Sequence, residues 1–100
     1  SLADNAVRST SDDAWQQLID VVAQQMPSFA HVLLSEKGVS AKEFRLSVLA
    51  LLSFKPGQMA VLTGLTNSDI SQTRRRLLQK VFGVQGSAAD YDKRIRGMAG

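Results

Sequence analysis

A run of three arginines at residues 74–76 is the feature of the sequence with the clearest chemical potential. Arginine can donate two hydrogen bonds to a guanine edge or neutralise a phosphate, and the glutamine amide can bind adenine. Polar residues surround the run at helical spacing, so one helix face would carry Ser68, Ser71, Gln72, Arg75 and Gln79, with Arg76 and Lys80 on its flank. A basic triplet alone usually marks a solvated surface, so its meaning depends on the elements that position it.

The arginines lie in a stretch, residues 56–83, whose pattern predicts two helices joined by a tight turn. Pro56 suits the first turn of a short helix over residues 56–62, and Gly64 supplies the positive φ that ends a helix. Thr66 is the expected N-cap of the second helix. Asp69, three positions later, either completes a short capping box or stabilises the positive end of the helix dipole.

The turn is too short for the two helices to lie antiparallel, so they must cross steeply, as in a helix-turn-helix. The crossing needs a small residue in the first helix, a glycine in the turn and a branched apolar residue that points back into the core. Ala60, Gly64 and Ile70 meet these three needs. The second helix stops at Gly83, and its inward face consists of Ile70, Leu77, Leu78, Val81 and Phe82.

The whole chain divides into a polar linker over residues 1–10, lead-in helices over residues 11–39, and a helix-turn-helix domain with a C-terminal helix over residues 40–100. No segment alternates polar and apolar residues with the period of a strand. We therefore expect an all-α fold of five or six short helices without a sheet.

Capping residues and apolar stripes position the remaining helices. Ser11 or Asp12 can cap the first helix, and Pro27 suits the first turn of the second. Ser40 and Glu43 form a capping box before a strongly apolar helix that we expect to be central. The apolar stripes of these three helices consist of Trp15, Leu18, Ile19, Val22 and Met26, then Phe29, Val32 and Leu33, then Phe44, Val48, Leu51 and Leu52.

The last helix has an apolar side that two hypotheses explain equally well. Ser87 can cap this helix, with Asp90 in its first turn. Tyr91, Ile95 and Met98 then lie on one side. They either pack on the domain or form a surface for a partner.

Composition and charge favour a globular protein with a polyanionic partner. Hydrophobic residues make up 44% of the 100 residues and charged residues 21%, which is typical of a globular domain. The net charge of +3 is uneven, because residues 1–36 hold one cation and five carboxylates whereas residues 37–100 hold eleven and four. The basic part favours nucleic acid first and an acidic membrane surface second, or it is simply a solvated surface.

Several functional classes lack the residues they need. The chain has no cysteine, and His31 is its single histidine, so we expect neither a metal site nor a cofactor. It has no acid–base pair or glycine-rich phosphate loop, so we expect no catalysis. No apolar run could span a bilayer and no signal peptide is visible, so we expect a cytoplasmic protein without membrane contact. Because the chain does not begin with Met, we expect it to be part of a longer protein.

The sequence from about residue 40 to residue 82 resembles the LuxR-type C-terminal effector domain, a relative of sigma-factor region 4. The similar residues are Ala41-Lys42-Glu43-Phe44, Gln58-Met59-Ala60, Leu62-Thr63-Gly64-Leu65-Thr66, Ile70, and Arg75-Arg76-Leu77-Leu78-Gln79-Lys80-Val81-Phe82-Gly83. The helices before this stretch are similar to the lead-in of bacterial regulators that carry such a module at the C-terminus. The sequence departs from the family pattern, which usually has Glu in place of Gln58 and a large apolar residue in place of Thr63, and often has an apolar or aromatic residue at Thr73 or Arg74.

The resemblance implies a DNA-binding domain of the winged-helix-like superfamily in a bacterial transcription regulator. It also implies a homodimer on a paired site and an upstream sensor or signalling domain. The second helix would enter the major groove of double-stranded DNA. The predicted contacts are Thr66, Asn67, Ser68, Ser71, Gln72, Arg75 and Gln79 near the bases or the helix start, and Arg74, Arg76, Lys80 and Lys55 at phosphates.

Arg74 has a second predicted role because it lies at the edge of the buried stripe. Its side chain either extends outward to phosphate or pairs with an acid such as Asp69 or Glu43. The alternative function for the whole domain is a helical protein-interaction module that keeps the fold without binding DNA. Tyr91 and Ile95 would then form the partner surface.

Overall fold

The computed structural model of the protein describes residues 12–99, and over this range the chain forms helices and no strand. The α-helices are α1 (Asp12–Gln25), α2 (Pro27–His31), α3 (Ala41–Leu51), α4 (Pro56–Thr63), α5 (Asn67–Phe82) and α6 (Ala88–Ala99). The expected all-α fold of five or six helices is confirmed. The predicted linker, residues 1–10, and the candidate cap Ser11 lie outside the described residues.

The second helix ends in a π-helical turn, which the sequence pattern does not indicate. Pro27 lies in the first turn of α2, as expected, and α2 continues into a π-helical turn, Val32–Glu36. There the N–H of Lys37 donates to the carbonyl of Val32, five positions earlier, at 2.8 Å. Gly38 then adopts a φ of 63° and ends the helical segment.

A single hydrophobic core lies around α3, which contacts α1, α4, α5 and α6. The side chains of Val48, Leu49 and Ala50 are completely buried, whereas Leu51 and Leu52 are only partly buried. Phe44 meets Phe29 of α2 at a centroid distance of 6.0 Å. The prediction that this helix is central is therefore confirmed, and the lead-in helices share its core.

The start of α3 has the predicted capping box. The Ser40 hydroxyl accepts a hydrogen bond from the Glu43 N–H at 3.1 Å, and the Glu43 carboxylate accepts one from the Ser40 N–H at 2.8 Å. Two of the N–H groups that a helix start leaves without partners are satisfied in this way.

The end of α3 is a Schellman motif built on a serine. Ser53 has a φ of 65°, its N–H donates to the Ala50 carbonyl at 3.0 Å, and the N–H of Phe54 donates to the Leu49 carbonyl at 2.9 Å. Phe54 and Leu49 are both buried, as expected at the two positions whose apolar side chains often accompany this motif. Glycine is the usual residue at the left-handed position, so the turn stores backbone strain at Ser53.

Helix α6 packs on the domain, which decides between the two hypotheses for its apolar side. Tyr91 and Ile95 are completely buried, and α6 contacts both α5 and α3. The Ser47 hydroxyl donates its proton to the Glu43 carbonyl at 2.8 Å, so the Tyr91 hydroxyl donates to the Ser47 oxygen at 2.6 Å. Burial raises the pKa of Tyr91, against the opposing effect of this hydrogen bond.

Among the helices of residues 12–99, none has the length and apolar character to cross a bilayer.

Candidate nucleic-acid interface

The turn between α4 and α5 is only three residues long, because α4 ends at Thr63 and α5 begins at Asn67. Helix α4 extends one residue beyond the predicted range of 56–62. Gly64 has a φ of 74°, and its N–H donates to the Ala60 carbonyl at 2.9 Å. An L-residue with a side chain would be strained in this left-handed conformation, so glycine is favoured at this position of the turn.

Thr63, where the resembling family has a large apolar residue, stabilises this turn with its hydroxyl. The hydroxyl donates to the Met59 carbonyl at 2.7 Å and accepts a hydrogen bond from the Leu65 N–H at 3.3 Å. Gln58, where the family usually has Glu, also has a local role, because its amide oxygen accepts from the Lys55 N–H at 2.9 Å. Both departures from the family pattern therefore preserve the helix-turn-helix backbone.

Thr66 is the N-cap of α5, as predicted. Its hydroxyl accepts a hydrogen bond from the Asp69 N–H at 3.1 Å. The Asp69 carboxylate makes no hydrogen bond within residues 12–99, so its role is to place a negative charge at the positive end of the helix dipole. Thr66 and Asn67 are exposed, and the helix start is therefore accessible.

Helix α5 has two chemically distinct faces. Ile70, Leu77 and Leu78 are completely buried, and Val81 is 5% exposed, so the predicted inward face is confirmed. Phe82 is partly buried beside it, at a centroid distance of 6.0 Å from Tyr91. The polar side chains that remain exposed on the opposite face and its flank are Ser68, Gln72, Arg75, Arg76, Gln79 and Lys80, and Ser71 is partly exposed.

Arg74 does not lie on the exposed face, and the prediction that it contacts phosphate is wrong. It is only 4% exposed and forms an ion pair with Asp92 of α6. The alternative prediction, that Arg74 pairs with an acid, is confirmed, but the acid is Asp92 and neither Asp69 nor Glu43. Position 74 lies one turn after Ile70 and one before Leu78, so the helical period points its side chain toward α6.

The ion pair between Arg74 and Asp92 is an electrostatic link between α5 and α6. Burial raises the pKa of Asp92, although the positive charges of Arg74 and Arg96 oppose that effect. The Nε atom of Arg74 and the Oδ1 atom of Asp92 are buried without a hydrogen-bond partner in residues 12–99. The pair is therefore incompletely satisfied, and its members depend on each other for charge balance.

The other two arginines of the run remain on the surface. Arg75 is exposed and has no hydrogen bond or ion pair with any described residue. Arg76 is exposed and makes one contact, from Nη2 to the Thr73 hydroxyl at 3.2 Å. Both guanidinium groups keep donors available for another molecule.

Lys80 is exposed but not isolated. Its Nζ lies 3.0 Å from a Glu43 carboxylate oxygen, which joins α5 to the cap of α3. Partial burial tends to raise the pKa of Glu43, but the hydrogen bond from the Ser40 N–H and the charge of Lys80 lower it overall. The Lys80 side chain is 41% exposed, and exposed ion pairs are weak, so Lys80 can still approach a phosphate. Lys55 is also exposed, in the loop before α4.

A groove runs along the exposed face of α5, beside the loop that joins α5 to α6. Its volume is about 620 Å³, and its lining residues are Gln72, Arg75, Arg76, Gln79, Gln85 and Gly86. A Cβ atom at Gly86 would lie 2.5 Å from an Asp90 carboxylate oxygen and 3.0 Å from Cδ2 of Leu78. The absence of a side chain at Gly86 therefore allows the loop to lie this close to α5.

The two loop residues of this groove are not among the contacts predicted from the sequence. Gln85 and Gly86 immediately precede Ser87, whose hydroxyl accepts from the Asp90 N–H at 3.2 Å as the predicted cap of α6. The local pattern indicated a cap there. It contained no signal that the loop returns alongside α5, because that path depends on how α6 packs.

Within residues 12–99, no group of three or more histidine and acidic side chains could hold a metal ion, and His31 is exposed. Comparison of the chain with protein-family models, curated proteins and solved structures finds no match. The assignment of the site therefore depends on its residues and their geometry.

Proposed function

We propose that this chain is the DNA-binding effector domain of a bacterial transcription regulator. The observation that supports this proposal most strongly is the exposed face of α5. It follows a three-residue turn and carries Gln72 and Arg75, which have no hydrogen-bond or ion-pair partner among residues 12–99. Such a face offers the donors and acceptors that read base edges, on an element of the size that a major groove admits.

The proposed contacts divide into two groups along α5. Ser68, Ser71 and Gln72 lie in the first half of the helix and Arg75 lies just after its midpoint, so these four residues face the bases. Arg76, Lys80 and Lys55 neutralise phosphates, which sets affinity and position but carries no sequence information. The free N–H groups at the start of α5, next to Thr66, provide a further phosphate contact.

The resemblance to LuxR-type effector domains extends the proposal beyond this chain. A single helix-turn-helix covers a short site, so two copies bind a paired site as a homodimer. An upstream sensor or signalling domain controls dimerisation, and the protein acts in the cytoplasm. No metal, cofactor or catalytic step is part of this function.

Fluorescence anisotropy with a random-sequence DNA duplex, titrated at several salt concentrations, tests the proposal. The logarithm of the affinity should fall linearly with the logarithm of salt concentration, with a slope that indicates roughly three to six phosphates. The double variant Arg75→Ala/Arg76→Ala should bind much more weakly and with a shallower slope. The matched control, Lys37→Ala/Lys42→Ala, removes the same charge from exposed positions outside α5 and should bind like the unmodified chain.

The alternative, a protein-interaction module, has two motivations, the apolar side of the last helix and the acidic first part of the sequence, and the first of these does not support it. Tyr91 and Ile95 are completely buried, so they cannot present an apolar patch to a partner. If the unmodified chain failed to bind DNA even at low salt, the DNA-binding proposal would be wrong.

A further inference from the structure

A second depression lies on the other side of the loop between α5 and α6. It has a volume of about 440 Å³, and its lining residues are Leu78, Val84, Gln85, Asp90, Lys93 and Arg94. Gln85 is exposed and also lines the groove beside α5. The two depressions are therefore neighbours that share Gln85.

Positive charge continues from the first depression into the second. Arg75 and Arg76 line the groove beside α5, and Lys93 and Arg94 line the depression beside α6. All four side chains are exposed. Lys93 makes no hydrogen bond or ion pair with any residue of the described range.

Arg94 and Asp90 are held by local contacts. The Arg94 guanidinium lies 5.7 Å from the centre of the Phe82 ring, which keeps it on the surface beside the end of α5. The Asp90 carboxylate accepts a hydrogen bond from the Ser87 N–H at 2.9 Å and is the single acid in either lining. Four cations therefore share this surface with one carboxylate that already has a capping role.

We infer that Gln85, Lys93 and Arg94 form a phosphate-binding surface, which extends the DNA contact of α5 across the loop and onto α6. This inference rests on the proposed function, because it concerns the backbone of the same duplex. Duplex DNA presents a negative charge about every 1.7 Å along its axis, so cations spread over two adjoining depressions match a DNA backbone better than a single small anion.

The surface contributes to affinity without reading sequence. Lys93 and Arg94 lie on α6, away from the α5 face that would enter the groove, and contacts to phosphate oxygens are the same for every base pair. Gln85 donates through its amide at the point where the two depressions meet. The second half of the domain thereby becomes part of the DNA interface, although the helix-turn-helix pattern does not include it.

Anisotropy titrations of the whole chain with a random-sequence duplex, from about 50 to 200 mM salt, test this surface. Lys93→Ala should make the salt slope shallower by about 1 and weaken binding equally for different duplex sequences. Gln85→Glu should weaken binding, because it places a negative charge between the depressions, whereas Gln85→Ala should have a smaller effect. Lys37→Ala, an exposed lysine outside the surface, should leave the slope unchanged.

Two results would overturn the inference, and they differ in what they say about the proposed function. If Lys93→Ala and Gln85→Glu bound like the unmodified chain while Arg75→Ala/Arg76→Ala lost binding, α5 would contact DNA without the α6 surface. If the unmodified chain did not bind the duplex at any salt concentration, both proposals would be wrong. All the substituted side chains are exposed, and thermal unfolding of each variant confirms that the fold is retained.

Discussion

Arg74 and Asp92 illustrate how a single residue can change its role when a distant element packs against it. The two residues are 18 positions apart and form an ion pair at the contact of α5 and α6. An isolated buried charge is far more costly than a buried pair, so each residue stabilises the fold only while the other is present. Arg74 therefore supports the position of α5, and Arg75 and Arg76 are the accessible members of the three-arginine run.

The stability of single and double variants measures this dependence. Asp92→Ala should lower the free energy of unfolding by roughly 3 kcal/mol, because it leaves the Arg74 charge buried without a partner. The double variant Arg74→Met/Asp92→Leu should recover most of that loss, since apolar side chains replace the pair. Urea denaturation followed by circular dichroism gives both values. Equal losses for the single and double variants would show that charge balance is not the reason for the effect.

Tyr91 predicts a loss of stability at high pH. It is the single tyrosine of the chain, and burial raises its pKa above the value of about 10 expected in the unfolded state. The folded state therefore keeps the phenol proton where the unfolded state releases it. The stabilisation is fully present below pH 10, and the free energy of unfolding should fall by about 1.4 kcal/mol per pH unit above it, until the folded-state pKa is reached.

Tyr91→Phe provides the comparison for that measurement. Loss of the hydrogen bond to Ser47 should cost about 1 kcal/mol at neutral pH. Urea denaturation from roughly pH 8 to pH 11 should then show a shallower decline for the variant than for the unmodified chain. Parallel declines would mean that other groups, such as lysines, cause the alkaline loss.

At the scale of the helices, the end of α3 contains strain that a substitution can remove. Ser53 occupies the left-handed position of a Schellman motif with a φ of 65°, and its side chain is exposed. Ser53→Gly should raise the free energy of unfolding by about 1 kcal/mol, because glycine adopts this conformation without a steric penalty. Thermal unfolding measures the change. Ser53→Ala is the control and should give no gain, and a gain from alanine similar to that from glycine would contradict this explanation.

Helix boundaries could be predicted from the sequence because their causes are local. Each helix cap acts within three positions along the chain. The pairs are Ser40 with Glu43, Thr66 with Asp69, and Ser87 with Asp90. Gly64 ends α4 through a hydrogen bond over four positions. The left-handed conformation of Ser53 at the end of α3 and the π-helical turn after α2 have no comparable signal in the sequence.

Some features of the candidate site could likewise be predicted from local sequence patterns, whereas others depend on contacts between residues far apart in the sequence. The helical period separated the buried face of α5 from its exposed face, and it placed Gln72 and Arg75 on the exposed side. It could not identify Asp92 as the partner of Arg74, or the position of Gln85 beside α5. Both depend on α6, whose packing brings together residues that are far apart in the sequence.

At the scale of the whole molecule, the distribution of basic residues and the packing of α6 in the core both support the proposal that α5 binds DNA. Most basic residues lie in the second part of the sequence, and among them the exposed cations of α5 and α6 line two adjoining depressions. The apolar side of α6 contributes to the core that holds α5 in place. In the proposed function, α5 presents its polar face to DNA, and α6 stabilises that face and adds phosphate contacts.

The most direct test of the central claim maps where DNA touches the chain. Titration of the isotopically labelled chain with a duplex, followed by nuclear magnetic resonance of backbone amides, should shift Ser68, Gln72, Arg75 and Gln79 most strongly. Amides of α1, such as Leu18 and Val22, should remain almost unchanged. Strong shifts confined to α1 and α2, with α5 unaffected, would contradict the assignment of α5 as the helix that enters the major groove.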